Sequence, residues 1–290
     1  CGTTACLALL NPGDEVLVFE PVYDSYVPAI ETVGGKAVFA QLKFPDYAPD
    51  WAQVKSLINE RTRMIVINSP HNPTGSLLTT ADLDRLAELV RGTDIVILSD
   101  EVYEHILFDG ERHASLCGRR ELAARSIVVS SFGKTYHITG WKIGYVVGPA
   151  ALMAEFRKVH QFNVFTVHAP SQLAIAEYMQ DASRHLGLAA FYQEKRDFFR
   201  QLMAATPFEL LPCRGTYFQL ARYDRISDLP DRAFAEWMTR EVGVAVIPVS
   251  VFNADGRDDK VVRFCFAKRE ETLQAAAERL GKVLSGNLSI

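Results

Sequence analysis

From Glu15 to Gly148 short apolar runs alternate with amphipathic stretches, which is the sequence form of a mostly parallel α/β sheet with helices on both faces. Strands are predicted at Glu15–Phe19, Lys36–Leu42, Met64–Asn68, Ile95–Ser99, Ser126–Ser130 and Ile143–Val147. The run Ile95-Val96-Ile97-Leu98 has no polar alternation and is expected at the centre of the sheet, covered on both sides. Leu83, Leu86, Ala87 and Val90 recur at helical spacing and predict a crossover helix.

After Pro170 the pattern changes. Leu173–Gln180 and Leu188–Ala204 read as helices, Phe208–Leu211 and Thr216–Leu220 as strands, and Ala233–Val242 as a helix. Two β-rich stretches follow, Val244–Phe252 and Lys260–Ala267, and then a helix whose apolar face carries Leu273, Ala276, Ala277, Leu280 and Leu284. This mixture predicts a smaller α+β domain at the C-terminal end. A large domain over 1–183 and a small one over 184–290 are expected, with the junction within residues 181–187.

Composition narrows the class. At 290 residues, with 48% hydrophobic and 23% charged positions, the chain is neither disordered nor collagen-like and can bury a core without disulfide or metal staples. The 35 acidic and 31 basic residues leave a net charge of −4, which is no electrostatic footprint for nucleic acid. Five widely spread cysteines, none in a CxxC pair, read as the reduced thiols of a cytoplasmic protein. No apolar run has the length of a membrane span. The opening segment has no signal-peptide flanks, lacks an initiating Met and starts within an apolar helical pattern, so further N-terminal sequence is expected upstream. The seven histidines show no metal-ligand spacing; no metal is expected, and His71, His105 and His137 are read as packing or supporting residues.

In an open α/β sheet, ligands bind beyond the carboxyl ends of the strands. Three polar segments follow predicted strands. Asn68-Ser69-Pro70-His71-Asn72-Pro73-Thr74-Gly75 is a stiff loop able to aim the Asn72 amide, or simply a turn. Asp100, after Ile95–Ser99, is a carboxylate at a strand mouth that calls for a cation such as a protonated heterocyclic nitrogen, or else is an ordinary ion pair or helix cap. Lys134, in Ser130-Ser131-Phe132-Gly133-Lys134-Thr135, suits an amine nucleophile, although most single lysines are solvated surface groups. An amine for an aldehyde, a carboxylate for a pyridine nitrogen, a phenol and an amide for a ring oxygen, and hydroxyls for a phosphate are together the set that pyridoxal 5′-phosphate requires.

The order Pro21-Val22-Tyr23, Asn72-Pro73-Thr74-Gly75, Asp100-Glu101-Val102-Tyr103, Ser131-Phe132-Gly133-Lys134 and Arg263-Phe264-Cys265-Phe266 resembles that of the fold-type I aminotransferases. Within it, the segments around Asn72, Asp100 and Lys134 resemble the kynurenine/glutamine aminotransferases and the bacterial methionine aminotransferases. The resemblance implies a fold-type I transferase with pyridoxal 5′-phosphate as cofactor. Lys134 would condense with the cofactor aldehyde and shuttle the substrate proton, Asp100 would pair with the pyridine nitrogen, and Tyr103 and Asn72 would bind the ring oxygen. Tyr23 would lie against the ring, Ser131 and Lys142 would hold the phosphate, and Arg263, with Asn72, would bind the substrate α-carboxylate. Gly215-Thr216-Tyr217-Phe218 is assigned to turn and core packing. Gly2-Thr3-Thr4 is left out of the phosphate site because it falls in the body of the helix before Asn11.

The implied activity is ping-pong transfer of an amino group from an L-amino acid of methionine, aromatic, glutamine or kynurenine type to a 2-oxo acid, by a homodimer without nucleic-acid or membrane partners. The same residues would also serve a carbon–sulfur β-lyase, or the aminotransferase-like effector domain of a transcription regulator.

Overall fold

The computed structural model describes residues 1–282. Its main sheet has seven strands: β1 (Glu15–Glu20), β2 (Lys36–Lys43), β3 (Ala48–Pro49), β4 (Thr62–Asn68), β5 (Val96–Asp100), β6 (Ser126–Ser131) and β7 (Gly144–Val147). They lie in the order β3-β2-β1-β4-β5-β6-β7. The five strands from β2 to β6 run parallel, and the two edge strands, β3 and β7, are antiparallel to their neighbours. Each apolar run predicted in this half is a strand within one or two residues.

Alternation along the strands divides the core into two layers. Val16, Val18, Met64, Val66, Leu98 and Ile127 pack with Ala5, Cys6 and Phe156 of the helices Gly2–Leu9 and Ala150–Asn163 on one face. Leu17, Ile65, Ile67, Ile97 and Val128 meet Leu83, Leu86 and Val90 on the other. These last three belong to the crossover helix Thr80–Val90, which opens with a capping box between Thr79 and Asp82. The sequence reading omitted the helices Trp51–Leu57 and Ala150–Asn163.

A second, antiparallel sheet comprises β8 (Glu209–Leu210), β9 (Phe218–Arg222), β10 (Ile247–Pro248) and β11 (Val261–Cys265), in the order β10-β11-β9-β8. The β-rich reading of Val244–Phe252 shrinks to a two-residue strand followed by a 3-10 turn, Val249–Phe252. Buried Val249, Ser250 and Phe252 pack inward from that turn, and Asp231 accepts from both the Ser250 amide and its hydroxyl at 2.7 Å. A tertiary carboxylate thus outcompetes local β preference. The helix predicted over Ala233–Val242 starts at Asp231 and widens into a π turn over Met238–Val242. The C-terminal helix runs Glu270–Lys282; Leu284, placed on its apolar face by the sequence, lies outside the described residues.

Candidate active site

Parallel strands end together, so the last residues of β4, β5 and β6 (Asn68, Asp100 and Ser131) come to one edge of the sheet. Beyond them lies a cavity of about 370 Å³, and Tyr23, Asn72, Asp100, Tyr103, Ser131, Lys134 and Lys142 all line it. Seven of the eight site residues proposed from sequence therefore share one chamber. The eighth, Arg263, stands just behind its wall: its Nη1 donates to Asn72 Oδ1 at 2.7 Å.

Among the described residues no side-chain cation bonds Asp100. It accepts from the Tyr26 hydroxyl at 2.7 Å and from the Val102 amide at 3.2 Å, and the Asn68 side-chain amide holds its carbonyl at 2.9 Å. Burial raises its pKa above the usual carboxylate range, against the pull of those two hydrogen bonds and of the Cys1 ammonium across the cavity. Neither an ion pair nor a regular helix cap accounts for it. A carboxylate held this way at a cavity wall favours a cationic group inside the cavity.

The Lys134 ammonium donates to the Tyr217 hydroxyl at 2.8 Å and lies 5.9 Å from the Tyr103 ring centroid. The ring of Tyr103, almost fully buried, meets Tyr217 edge-on at 5.4 Å. Burial, and then the neighbouring phenol of Tyr217, push Tyr103 well above the ordinary tyrosine range, which keeps it a neutral donor. Ser131 caps the helical turn Phe132–Thr135 by accepting from the Gly133 amide at 3.1 Å, which fixes the start of the segment carrying Lys134. Lys142 occupies the left-handed region at φ 57° just before β7. Gly144 is required two residues later, because a Cβ there would collide with the Ser130 carbonyl and keep β7 off β6.

The Asn72 loop is stiffened from within. Asn68 Oδ1 accepts from the Asn72 amide at 2.8 Å, and His71 Nδ1 lies 2.7 Å from Thr74 Oγ1. Burial lowers the His71 pKa to about 3, so the imidazole is neutral and packs, as read from sequence. Arg263 sits between aromatic faces, its guanidinium carbon 4.0 Å from the Phe218 centroid and 5.2 Å from that of Phe252. Burial lowers its pKa. Among the described residues no carboxylate lies within bonding distance of it.

The cavity thus combines two lysines, a carboxylate that among the described residues is bonded by no side-chain cation, neutral phenols and, behind Asn72, a guanidinium bonded by no carboxylate among them. Against this arrangement, the family model for aminotransferases of class I and II matches residues 1–280. The chain belongs to the class I and II aminotransferase family. The methionine aminotransferase of Escherichia coli strain K12 is 48% identical over 277 residues, covering 95% of this chain and 72% of that one. An E. coli crystal structure described as having a methionine aminotransferase function superposes with TM-score 0.95 at 47% identity, covering 97% of this chain and 75% of its own. The rat kynurenine–oxoglutarate transaminase 1 is 34% identical over 95% of this chain and 73% of its own.

Tyr26 and Tyr217 escaped the sequence reading, and Gly2 and Thr3, which it left out of the phosphate site, line the cavity. Tyr26 holds Asp100, and its one sequence signal is its place three residues after Tyr23. Tyr217, assigned to core packing, does make a turn with Thr216 at φ 67°, but its hydroxyl also reaches Lys134.

Proposed function

We propose that this aminotransferase uses pyridoxal 5′-phosphate in the cavity beyond β4, β5 and β6 to move an amino group from an L-amino acid of methionine or aromatic type to a 2-oxo acid. The observation that carries the proposal is Asp100, a buried carboxylate bonded by no side-chain cation among the described residues, in the same chamber as the Lys134 amine. When bound, the cofactor supplies an aldehyde for the amine and an electron-withdrawing ring that makes the substrate Cα–H acidic.

The chain's own residues do the rest. Asp100 would keep the ring nitrogen protonated, with Tyr26 fixing the carboxylate plane. Tyr103 and the Asn72 Nδ2 would donate to the ring oxygen, Tyr23 would cover a ring face, and Ser131 with Lys142 would hold the phosphate. Lys134, released when substrate takes its place, would be the base for the Cα proton and the acid that returns it on the far side of the substrate nitrogen. Arg263, pre-oriented by Asn72 and its two aromatic neighbours, binds the α-carboxylate through its planar fork. Resemblance to the methionine and kynurenine enzymes supports the donor class.

A homodimer fits the surface. Phe162 and Phe165 are 87% and 85% exposed, and Leu173 is 72% exposed, at or beside the helices Ala150–Asn163 and Ala169–Tyr178. A second copy is the proposed cover for these side chains. Five free thiols suit a reducing, cytoplasmic location, and among the described residues no helix is long and apolar enough to cross a membrane.

The deciding experiment is an absorbance titration with pyridoxal phosphate, followed by L-methionine, on the wild type and Lys134→Ala. A visible band that requires Lys134 and is lost on adding methionine supports the proposal; a band of equal intensity in Lys134→Ala overturns the role of this lysine. Sedimentation of the wild type and of Phe162→Glu/Phe165→Glu tests the dimer.

A further inference from the structure

Tyr217 is the nearest polar neighbour of the Lys134 amine, and it arrives from the other sheet. Its backbone is locked from three sides. The Thr216 amide donates to the Ile106 carbonyl at 3.0 Å, the Phe266 amide donates to the Tyr217 carbonyl at 3.1 Å, and the Arg214 and Gly215 amides both donate to the Gly75 carbonyl. Gly215 makes this closeness possible: a Cβ there would lie 2.8 Å from Pro70 Cβ and 2.9 Å from the Ile106 oxygen. The ring is held by Tyr103 at 5.4 Å, Phe218 at 4.7 Å and Tyr192 at 5.7 Å. Its hydroxyl is consequently a fixed point beside the chamber, and the flexible lysine stem brings the amine to it at 2.8 Å.

We infer that Tyr217 is a positioning residue for transamination, the dock that holds the Lys134 amine whenever that amine is not bonded to the cofactor aldehyde. The inference rests on the reading of Lys134 as the reacting amine. A lysine displaced by substrate has four rotatable side-chain bonds and, without an acceptor, samples many arrangements, each with the nitrogen away from the proton it must move. Donation of one N–H to the phenol oxygen restricts that search. It also leaves the lone pair of the neutral amine directed elsewhere, so docking does not block its use as a base. Tyr103 and Tyr217 thereby divide the work: the buried Tyr103 lines the cavity, whereas Tyr217 faces the lysine from behind.

Without the phenol oxygen the amine loses its dock and is free to meet a reagent that enters the cavity. The test is reductive methylation of the cofactor-free protein with formaldehyde and cyanoborohydride between pH 6 and 10, following the Lys134 peptide by mass spectrometry. In Tyr217→Phe the undocked amine is expected to be labelled about tenfold faster at pH 7. On the loaded enzyme kcat should fall about tenfold, with KM for methionine unchanged within about twofold. Tyr192→Phe, which trims a ring packed on Tyr217 but whose hydroxyl faces His137, is expected to label and turn over like the wild type.

A Tyr217→Phe protein with the wild-type labelling profile and wild-type kcat overturns the dock. So does a lowered melting temperature with neither the labelling rate nor kcat altered, which would make Tyr217 a packing residue. If instead Lys134→Ala keeps the visible cofactor band, the underlying assignment of Lys134 fails, whatever Tyr217 does.

Discussion

Asn72 and Arg263 are 191 positions apart, yet the guanidinium of one donates to the amide oxygen of the other at 2.7 Å. Because arginine can only donate, the Asn72 oxygen must face it, and the two N–H groups of the amide are left for the cavity. The bond therefore does two things. It orients the Asn72 donor, and it ties β11 of the small sheet to the loop after β4 of the large one.

Arg263→Lys keeps the charge but loses the planar fork and the stacking on Phe218. Its kcat/KM for methionine is expected to fall roughly 100-fold, about 3 kcal/mol of transition-state stabilisation. Asn72→Ala should affect the cofactor as well as the substrate, raising the dissociation constant for pyridoxal phosphate severalfold. Steady-state kinetics and a fluorescence titration separate the two effects.

Asp100 is placed for function at the expense of stability. Burial raises its native pKa, so the native state holds this proton more tightly than the unfolded chain does, and its ionisation destabilises the cofactor-free protein as pH rises through the native pKa. Asp100→Asn is expected to make the cofactor-free protein more stable by about 1 kcal/mol at pH 7. That gain should vanish below about pH 4, where the aspartate is protonated in both states. Transamination should be nearly abolished. Urea denaturation at pH 7 and pH 4 checks the sign.

Glu101, the next residue, behaves oppositely. Burial alone would raise its pKa, but bonds from His113 at 2.6 Å and from the Leu116 amide at 3.1 Å outweigh it and hold it below the usual range. Its contribution to stability is present above the unfolded value of about 4.3 and is lost as pH falls through the lowered native value. His113→Ala should cost about 3 kcal/mol at neutral pH by leaving a buried carboxylate without its partner. The deficit should shrink toward pH 4, and Glu101→Gln added to His113→Ala should recover part of it. Thermal melts across pH provide the measurement.

Gly215→Ala forces a methyl group against Pro70 and the Ile106 carbonyl, neither of which can swing aside like a flexible side chain. A loss of about 2 kcal/mol is expected. The turn that carries Tyr217 should shift with it, so kcat should fall even where the protein remains folded. A melting curve and kcat measured at a temperature where the variant is fully native distinguish the two effects.

The sequence by itself determined six of the seven strands of the main sheet; the two-residue edge strand β3 was not read from it. Their apolar runs are long enough, and buried on enough sides, that no tertiary contact needs to overrule local pattern; β5 lies between β4 and β6, as its unbroken apolar run required. It also determined which residues occupy the strand mouths, since a parallel sheet gathers the residues after its strands at one edge. Asn72, Asp100 and Lys134, singled out there, line one cavity for that reason, and Tyr23, Tyr103, Ser131 and Lys142, added by the family resemblance, line it too.

Only the tertiary structure decided which groups support them. Tyr26 on Asp100, Tyr217 on Lys134 and Arg263 on Asn72 are contacts across 74, 83 and 191 positions. No periodicity links positions so far apart; each contact depends on how a turn from one element is set against another. The same holds at Val244–Phe252, where β-forming residues turn aside because Asp231 captures Ser250. Local sequence fixes what a segment can become, and the partners brought by the fold decide where its polar atoms are satisfied.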